Sequence, residues 1–247
     1  MTITSKIALV TGGNKGIGFE ICRNLAGAGC AVLLGARSVE RGRQAIRQLE
    51  QQGGSGDVHC IEIDVTRPET VNAAARQIES RYGRLDILVN NAGVNLRGDG
   101  LPGAADPGVV QRIFDSNFFG AFRVAQTMLP LLRKSAAGRI VNVSSGLGSL
   151  TLNSDPSSPV YNASFRLIGY SASKAALNML TLHLAYELRD TKIKVNSANP
   201  GFTRTDLNDN TGTQPVEVGA IAATRLALLD DDGPTGQSFS KDGPAPW

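Results

Sequence analysis

Residues 6–18 read KIALVTGGNKGIG and join a short apolar run to a glycine-rich turn. The apolar run is short and contains β-branched residues, which favours a buried strand. A helical pattern follows from Phe19 to Ala28. Glycines between a first strand and a first helix allow a tight turn, and the start of the helix offers free N–H groups to a pyrophosphate. This order of elements predicts a dinucleotide-binding site.

The alternation of strand and helix continues along the chain. Runs typical of strands occupy 6–11, 30–35, 58–63, 86–90, 139–143, 193–198 and 236–240. Helical patterns occupy 17–28, 39–52, 68–82, 108–134, 171–189 and 215–229. Such alternation predicts parallel strands joined by right-handed crossovers. We expect an α/β fold with one doubly wound sheet, helices on both of its faces, and a single domain over 1–247.

A second informative stretch is YSASK, residues 170–174. Its i, i+4 spacing places Tyr170 and Lys174 on one face of a helix. A free Tyr titrates near pH ~10, and a fixed neighbouring cation favours the phenolate. The pair therefore indicates a Tyr that exchanges a proton with a substrate. The alternative is a surface helix on which the two side chains merely share a face.

Taken together, these stretches resemble the short-chain dehydrogenase/reductase family. The matching segments follow the family's order: TGGNKGIG (11–18), Asp64-Val65, NNAG (90–93), Asn117, GRIVNVSS (138–145), YSASK (170–174) and NPGFTRT (199–205). The resemblance implies a Rossmann-type sheet of seven parallel strands in the order 3-2-1-4-5-6-7. It also implies hydride transfer between a nicotinamide and a carbonyl or alcohol, most similar to the carbonyl-reductase branch.

The residues after the second strand indicate which cofactor is bound. An NAD-selective site places Asp or Glu there, whereas this chain has Ala36 followed by Arg37. The guanidinium of Arg37 can engage a 2′-phosphate, and Lys15 supplies a second cation nearby. The resemblance associates this Lys/Arg pair with NADP(H). The alternative is that both are solvated surface charges.

The resemblance assigns the rest of the cofactor site to the ends of strands. The carboxylate of Asp64 would bind the adenine amino group and the backbone of Val65 the ring, although Asp64 could also cap the next helix. The phosphates would lie at the glycine-rich turn, the ribose above the NNAG segment and the nicotinamide beside the NPG segment. The remaining residues of this set are Gly12, Asn14, Gly16, Ile17, Gly18, Asn91, Ala92, Gly93, Tyr170, Lys174, Pro200, Gly201, Thr203 and Thr205.

The same resemblance gives each catalytic residue a role. Tyr170 would be the general acid in reduction and the general base in oxidation, and Lys174 would lower its pKa and hold the nicotinamide ribose. Ser145 would polarise the carbonyl, with Ser144 as the close rival. Asn117 would hold a water that connects Lys174 to solvent, the alternative being a solvated Asn on a helix.

Tyr161 is a rival for the catalytic Tyr because it is nearer to Ser145 in sequence. Phe165 stands at i+4 from Tyr161, so we expect no cation to activate it. The long segment 147–169 before Tyr170 reads as an insertion near the substrate mouth, and 203–215 as a short lid. In position, this insertion resembles a longer one in monomeric carbonyl reductases, where it obstructs the helix pair through which relatives form dimers. The resemblance favours a monomer, with a homo-oligomer as the alternative.

Composition narrows the function classes. Hydrophobic residues make up 41% and charged residues 19%, the net charge is +3, and no basic run is interleaved with aromatics. We therefore expect no nucleic-acid partner. The three cysteines lack metal-ligand spacing, so no metal is expected, and they suit reduced thiols in the cytoplasm. The sequence contains no apolar run of ~20 residues, so no membrane span is expected.

The expected substrate is a small-molecule carbonyl compound or alcohol. Because the lid is short, we expect an open pocket that accepts bulky compounds. Candidate wall residues are Leu147, Leu150, Leu152 and Phe202, each of which could equally belong to the core. Reduction of 3-oxoacyl thioesters is the second candidate. A nucleotide-binding regulator without turnover is a third, although Ser145, Tyr170 and Lys174 are all present.

Overall fold

The computed structural model describes residues 5–53 and 56–247, and strands from this part of the chain form one sheet. Its spatial order is β3-β2-β1-β4-β5-β6-β7-β8. The strands are β1 (Ile7–Val10), β2 (Ala31–Ala36), β3 (Val58–Glu62), β4 (Ile87–Asn90), β5 (Arg139–Val143), β6 (Lys194–Ala198), β7 (Gln237–Ser240) and β8 (Gly243–Pro244). The predicted order of parallel strands is confirmed, and the two-residue antiparallel strand β8 extends the predicted seven at one edge.

Helices cover both faces of the sheet. They are α1 (Gly16–Gly27), α2 (Val39–Gln51), α3 (Pro68–Tyr82), α4 (Pro107–Phe114), α5 (Ala121–Leu132), α6 (Leu150–Ser154), α7 (Ile168–Glu187), α8 (Val216–Gly219) and α9 (Ile221–Ala227). Within 5–53 and 56–247, none of them combines the length and apolarity needed to cross a membrane. The sequence patterns placed the long helices to within a few residues.

Strand β1 shows how the two-sided core arises. Its four residues are fully buried, and successive side chains point to opposite faces of the sheet. Ile7 and Leu9 pack with α3, α5 and α7, while Ala8 and Val10 pack with α1, α2 and α9. A strand covered on both faces is apolar along its length, as the IALV segment is.

The order of the strands fixes the position of the site. The direction of winding reverses between β1 and β4, and in open α/β sheets ligands bind in the crevice outside the carboxyl ends at that point. The glycine-rich turn, the NNAG segment, Ser145 and Asn199 follow β1, β4, β5 and β6 respectively. The fold therefore gathers segments that are far apart in the sequence.

The segment 147–169 is largely built of short helical turns. The N–H of Thr151 in α6 donates to the carbonyl oxygen of Trp247 at 2.9 Å, which ties α6 to the C-terminal residues. The ring of Phe165 meets the ring of Phe202 edge to face at 5.3 Å between centroids. The insertion and the segment after β6 are therefore in contact.

Candidate active site

Tyr170 lies in the first turn of α7, and its phenol interacts with the hydroxyl of Ser145, which favours the ionised phenol. Ser145 follows β5, and its Oγ accepts the N–H of Leu147 at 3.1 Å, which orients the hydroxyl. Ser144 is buried instead, and its Oγ lies 3.4 Å from the carbonyl oxygen of Lys174. The structure thus brings Ser145, and not Ser144, to the phenol of Tyr170.

Lys174 is one turn further along α7 and only 4% exposed. Its ammonium donates to the carbonyl oxygen of Val143 at 2.8 Å and lies 5.6 Å from the centroid of the Tyr170 ring. Burial lowers the pKa of Lys174 to about 8, because removal from water disfavours the charged form.

The pKa of Tyr170 is not lowered, contrary to the expectation from the Tyr–Lys spacing. Burial raises the pKa of Tyr170 to about 12, and the hydrogen bond to Ser145 offsets only part of that rise. Because the pKa of Lys174 is about 8, its amine has lost its charge before the phenol would ionise and does not stabilise the phenolate. The phenol of Tyr170 is therefore protonated at neutral pH.

Asn117 lies in a π-helical turn, residues 115–120, between α4 and α5. Its Oδ1 accepts the N–H of Val94 at 2.7 Å, and its Nδ2 donates to the Val94 carbonyl at 2.9 Å and to Ser173 Oγ at 3.1 Å. Asn117 is fully buried, so the alternative of a solvated helix residue is wrong. Such π-turns are frequent at functional sites.

The glycine positions of the glycine-rich turn, called the cradle below, carry no side chains. Gly12 and Gly16 have φ values of +63° and +56°, which glycine adopts without strain. A Cβ on Gly18 would lie 2.4 Å from the carbonyl oxygen of Gly12, so no larger residue fits there. The first N–H groups of α1 have no acceptor within the helix. These features fit a pyrophosphate.

The two cations expected at a 2′-phosphate are arranged differently from the prediction. Arg37 is exposed and, among the described residues, makes no hydrogen bond or ion pair with the protein. Lys15 instead forms an ion pair with Asp206 at 2.8 Å, and this contact lowers the pKa of Asp206. Lys15 thus joins the glycine-rich turn to the segment after β6.

Asp64 holds a turn after β3. Its Oδ1 accepts the N–H of Thr66 at 3.0 Å and the Thr66 hydroxyl at 2.7 Å, and its own N–H donates to Thr70 Oγ1. The N-cap position of α3 belongs to Arg67, so Asp64 acts three residues earlier than a helix cap. Val65 is buried.

The NNAG segment is tied to β1. Asn91 Nδ2 donates to the carbonyl oxygens of Thr11 at 2.9 Å and Gly12 at 3.2 Å, and the N–H groups of Asn91 and Ala92 donate to Thr11 Oγ1 at 3.0 Å. A Cβ on Gly93 would lie 3.5 Å from Lys174 Nζ. Gly93 therefore lies close to the buried ammonium with no side chain between them.

The segment after β6 bears on the glycine-rich turn. A Cβ on Gly16 would lie 3.4 Å from Thr205 Cγ2. Thr203 is buried, its N–H donates to the Gly201 carbonyl at 3.0 Å, and its Oγ1 donates to the Pro200 carbonyl at 2.9 Å. The main-chain N–H and the hydroxyl of Thr203 thus both have partners within this segment.

The family model described as short chain dehydrogenase matches residues 6–215. The chain belongs to this family. A short-chain dehydrogenase, anuI, of Penicillium roqueforti (strain FM164) is 39% identical over 91% of this chain and 89% of its own length. A (+)-neomenthol dehydrogenase of Arabidopsis thaliana is 34% identical over 96% and 97%.

A solved structure shares the fold of this short-chain dehydrogenase. It is a gluconate 5-dehydrogenase from Burkholderia cenocepacia J2315 in complex with NADP and tartrate, with a TM-score of 0.80 and 28% identity over 95% of this chain and 92% of that one. The protein is therefore an oxidoreductase of the carbonyl–alcohol class, and its family uses a nicotinamide cofactor.

Three features of this short-chain dehydrogenase escaped the sequence analysis. Ser173 Oγ donates to the Tyr170 carbonyl at 2.7 Å while accepting from Asn117, and Thr11 Oγ1 anchors the NNAG segment. Both lie inside the quoted segments, which was the available signal. Arg166 lies 4.4 Å from the centroid of the Tyr161 ring, a contact with the face of the ring that the i+4 position did not indicate. Its position, 44% exposed on a surface turn, sets it apart from Tyr170.

Proposed function

We propose that this chain is an NADP(H)-dependent carbonyl reductase and alcohol dehydrogenase in which Tyr170 supplies the proton. The single observation that carries the proposal is the convergence of the Tyr170 phenol, the Ser145 hydroxyl and the buried ammonium of Lys174, which lies 5.6 Å from the centroid of the Tyr170 ring. Two hydroxyl donors that meet at the carboxyl end of β5 can bind one carbonyl oxygen together. Such preorganised donors stabilise the charge that develops there.

In reduction, Tyr170 gives its proton to the substrate oxygen, and Ser145 holds that oxygen by a hydrogen bond. The bound cofactor supplies the hydride that reaches the carbonyl carbon. Lys174 lies close to Gly93 of the NNAG segment, where its ammonium can bind ribose hydroxyls. Asn117 fixes the neighbouring Val94 backbone and reaches Ser173, which holds the Tyr170 carbonyl.

The cofactor would lie along the carboxyl edge of the strands. We assign its phosphates to the cradle of Gly12, Asn14, Gly16, Ile17 and Gly18, its adenine to Asp64 and Val65, its ribose to Asn91, Ala92 and Gly93, and its nicotinamide end to Pro200, Gly201, Thr203 and Thr205. Arg37, with no carboxylate at Ala36 beside it, supports NADP(H) over NAD(H). NADP in the related gluconate 5-dehydrogenase structure supports the same choice.

The high pKa of Tyr170 favours reduction at neutral pH. A phenol with a pKa of about 12 is protonated there and ready to act as an acid, whereas oxidation of an alcohol requires the phenolate. We therefore expect the oxidation rate to increase with pH over a range in which the reduction rate does not. Measurement of both directions across that range tests the assignment.

The substrate site supports a bulky, apolar carbonyl compound. Beside Gly146, next to Ser145, an added Cβ would be 3.7 Å from both Leu152 and Val160 and 3.3 Å from Asn199 Nδ2, so one amide lies among the apolar side chains. The Phe165–Phe202 ring pair joins the insertion 147–169 to the segment after β6. A relative named (+)-neomenthol dehydrogenase fits an apolar small molecule. Leu150, a candidate wall residue, is 74% exposed to solvent.

A substrate panel tests the proposal. Purified protein is mixed with NADPH and, separately, with cyclic ketones, open-chain ketones, aldehydes and a 3-oxoacyl thioester, and loss of the reduced cofactor is followed with identification of the alcohol formed. We expect turnover of bulky ketones. Preferential reduction of the thioester would indicate that the protein is a 3-oxoacyl thioester reductase. Tight NADPH binding without turnover on any compound would indicate a nucleotide-binding regulator instead.

A further inference from the structure

The start of α7 is completed by a residue from a different part of the chain. The first N–H groups of a helix have no acceptor within the helix and need one from outside. Leu167 occupies the N-cap position of α7 and provides no side-chain oxygen. The acceptors come instead from the loop that follows the NNAG segment, at Asp99 and Gly100.

The two carboxylate oxygens of Asp99 bind consecutive peptide groups of α7. Oδ1 accepts the N–H of Gly169 at 2.8 Å, and Oδ2 accepts the N–H of Tyr170 at 2.8 Å. The N–H of Ile168 donates to the carbonyl oxygen of Gly100 at 2.9 Å. All three N–H groups that open the helix are therefore held by this loop, and one of them belongs to Tyr170 itself.

Two further contacts make this arrangement specific. Asp99 Oδ1 also accepts the N–H of Gly100 at 2.8 Å, which fixes the orientation of the carboxylate. A Cβ on Gly169 would lie 3.2 Å from both oxygens of Asp99 and 3.2 Å from Ile113, so the close approach suits glycine at that position. The negative charge also lies at the end of the helix where it is electrostatically favoured.

We propose that Asp99 is a positioning residue for the reaction, which it serves by holding the backbone of Tyr170. Its role rests on the proposed function, in which Tyr170 is the acid. Asp99 binds the N–H of Tyr170 and Ser173 binds its carbonyl group, so the peptide units on both sides of the phenol are fixed. Without the carboxylate, the first turn of α7 can shift and carry the phenol away from Ser145.

Asp99→Ala tests this role, because a positioning residue should affect kcat but not the binding of NADPH. A misplacement of ~1 Å at a reacting group costs up to about 100-fold in rate, so we expect kcat to fall by about 10- to 100-fold. The dissociation constant for NADPH should stay within about twofold, since Asp99 binds main-chain N–H groups and its loss removes no side chain proposed to hold the cofactor. Asp99→Asn retains one acceptor and should give an intermediate kcat.

Asp106→Ala is the matched control. Asp106 caps α4 in the same manner, with Oδ1 accepting the N–H groups of Gly108 at 2.7 Å and Val109 at 3.4 Å, but it has no contact with Tyr170 among the described hydrogen bonds. Its loss should leave kcat within about twofold of the original protein while removing a similar capping interaction.

Hydrogen–deuterium exchange of the free protein gives a readout besides activity. Amides of a peptide spanning 168–172 should exchange faster in Asp99→Ala, and those at the start of α4 should do so in Asp106→Ala. Unchanged exchange at 168–172, or a kcat for Asp99→Ala equal to that of the control, would overturn the inference. If Asp99→Ala does not fold, a kcat for Asp99→Asn equal to that of the original protein overturns it. Turnover by Tyr170→Phe would refute the proposed function itself. Failure of that proposal is therefore distinguishable from failure of the role given to Asp99.

Discussion

At the scale of single residues, burial moves the pKa values of Tyr170 and Lys174 in opposite directions. The pKa of Lys174 falls to about 8 and that of Tyr170 rises to about 12, because the protein interior disfavours the charged form of each. The protein therefore holds a protonated phenol beside a cation that is close to losing its own charge. That state suits proton donation to a substrate more than proton removal from it.

The two neighbouring serines give a direct test at this scale. Ser145→Ala removes the hydroxyl that meets Tyr170 and should lower kcat by about 100- to 1,000-fold, as loss of a donor to a developing oxyanion does. Ser144→Ala removes a buried hydroxyl that faces the Lys174 carbonyl and should lower kcat only slightly. Steady-state kinetics on one ketone compare the two variants. Equal losses would contradict the assignment of Ser145.

Arg37 determines cofactor preference if it binds the 2′-phosphate. Arg37→Asp replaces the cation with a carboxylate that repels the phosphate and can accept a ribose hydroxyl, so the ratio of kcat/KM for NADPH to that for NADH should fall by at least about 100-fold. Arg76→Asp, which makes the same change of charge at an exposed position of α3, is the control. An unchanged ratio in Arg37→Asp would remove this residue from the cofactor site.

At the scale of elements, the ion pair between Lys15 and Asp206 links the glycine-rich turn to the segment after β6. A 2′-phosphate near Lys15 would compete with Asp206 for the ammonium. Asp206→Asn should therefore tighten NADP⁺ binding by a few-fold at low salt, a modest effect because both side chains are exposed and screened.

The control for that variant is Asp209→Asn, which changes the same charge three residues further on. It should leave the dissociation constant of NADP⁺ nearly unchanged, and neither variant should alter NAD⁺ binding. Calorimetry at two salt concentrations checks both expectations. Weaker NADP⁺ binding in Asp206→Asn would instead mean that the pair holds the site in its binding form.

Much of the element structure could be predicted from the sequence because the signals were local. Apolar runs gave β1–β7, and 3.6-residue patterns gave the long helices. The π-turn around Asn117 could not be predicted, since the helical pattern of 108–134 continues through it. The contact of Arg166 with Tyr161 was missed because it forms across a turn that is not α-helical.

The candidate site was predictable to a different degree. The family's ordered segments indicated Ser145, Tyr170 and Lys174, and the structure brings these three together. The partners of Lys15 and Tyr170 could not be foreseen, because Asp206 and Asp99 are remote in sequence and lie in loops without a periodic pattern. The direction of the Tyr170 pKa depends on burial, which spacing alone does not reveal.

At the scale of the whole molecule, Lys174 makes stability depend on pH. Its pKa is about 8 in the folded protein and 10.5 in the unfolded chain, so between these values the unfolded chain binds more protons and stability rises with pH. The contribution is about 3 kcal/mol at most, since each unit of pKa difference represents ~1.4 kcal/mol. Above pH 10 the raised pKa of Tyr170 acts in the opposite direction.

Lys174→Met should therefore increase the free energy of unfolding below pH 8 and weaken its rise toward pH 10, while it abolishes reduction. Urea unfolding at several pH values measures both effects. Lys6→Met, at an exposed position, is the control and should keep the original pH dependence. A Lys174→Met protein that is less stable at neutral pH would show that the ammonium stabilises the fold.

Oligomeric state also belongs to this scale. Three large apolar side chains are exposed in the described structure: Phe119 by 46%, Phe122 by 41% and Met179 by 54%. The insertion contacts the C-terminal residues and the segment after β6. The preference for a monomer stays a prediction. Light scattering during size-exclusion chromatography, at several protein concentrations, should give the mass of one chain, and a concentration-dependent larger mass would contradict it.

The account depends most on the proton that Tyr170 gives to the carbonyl oxygen. The decisive measurement is single-turnover reduction by Tyr170→Phe, made alongside NADPH binding to the same protein. We predict a rate at least about 1,000-fold below that of the original protein, with the dissociation constant for NADPH changed by less than about threefold. Reduction by Tyr170→Phe at a rate close to the original would contradict it.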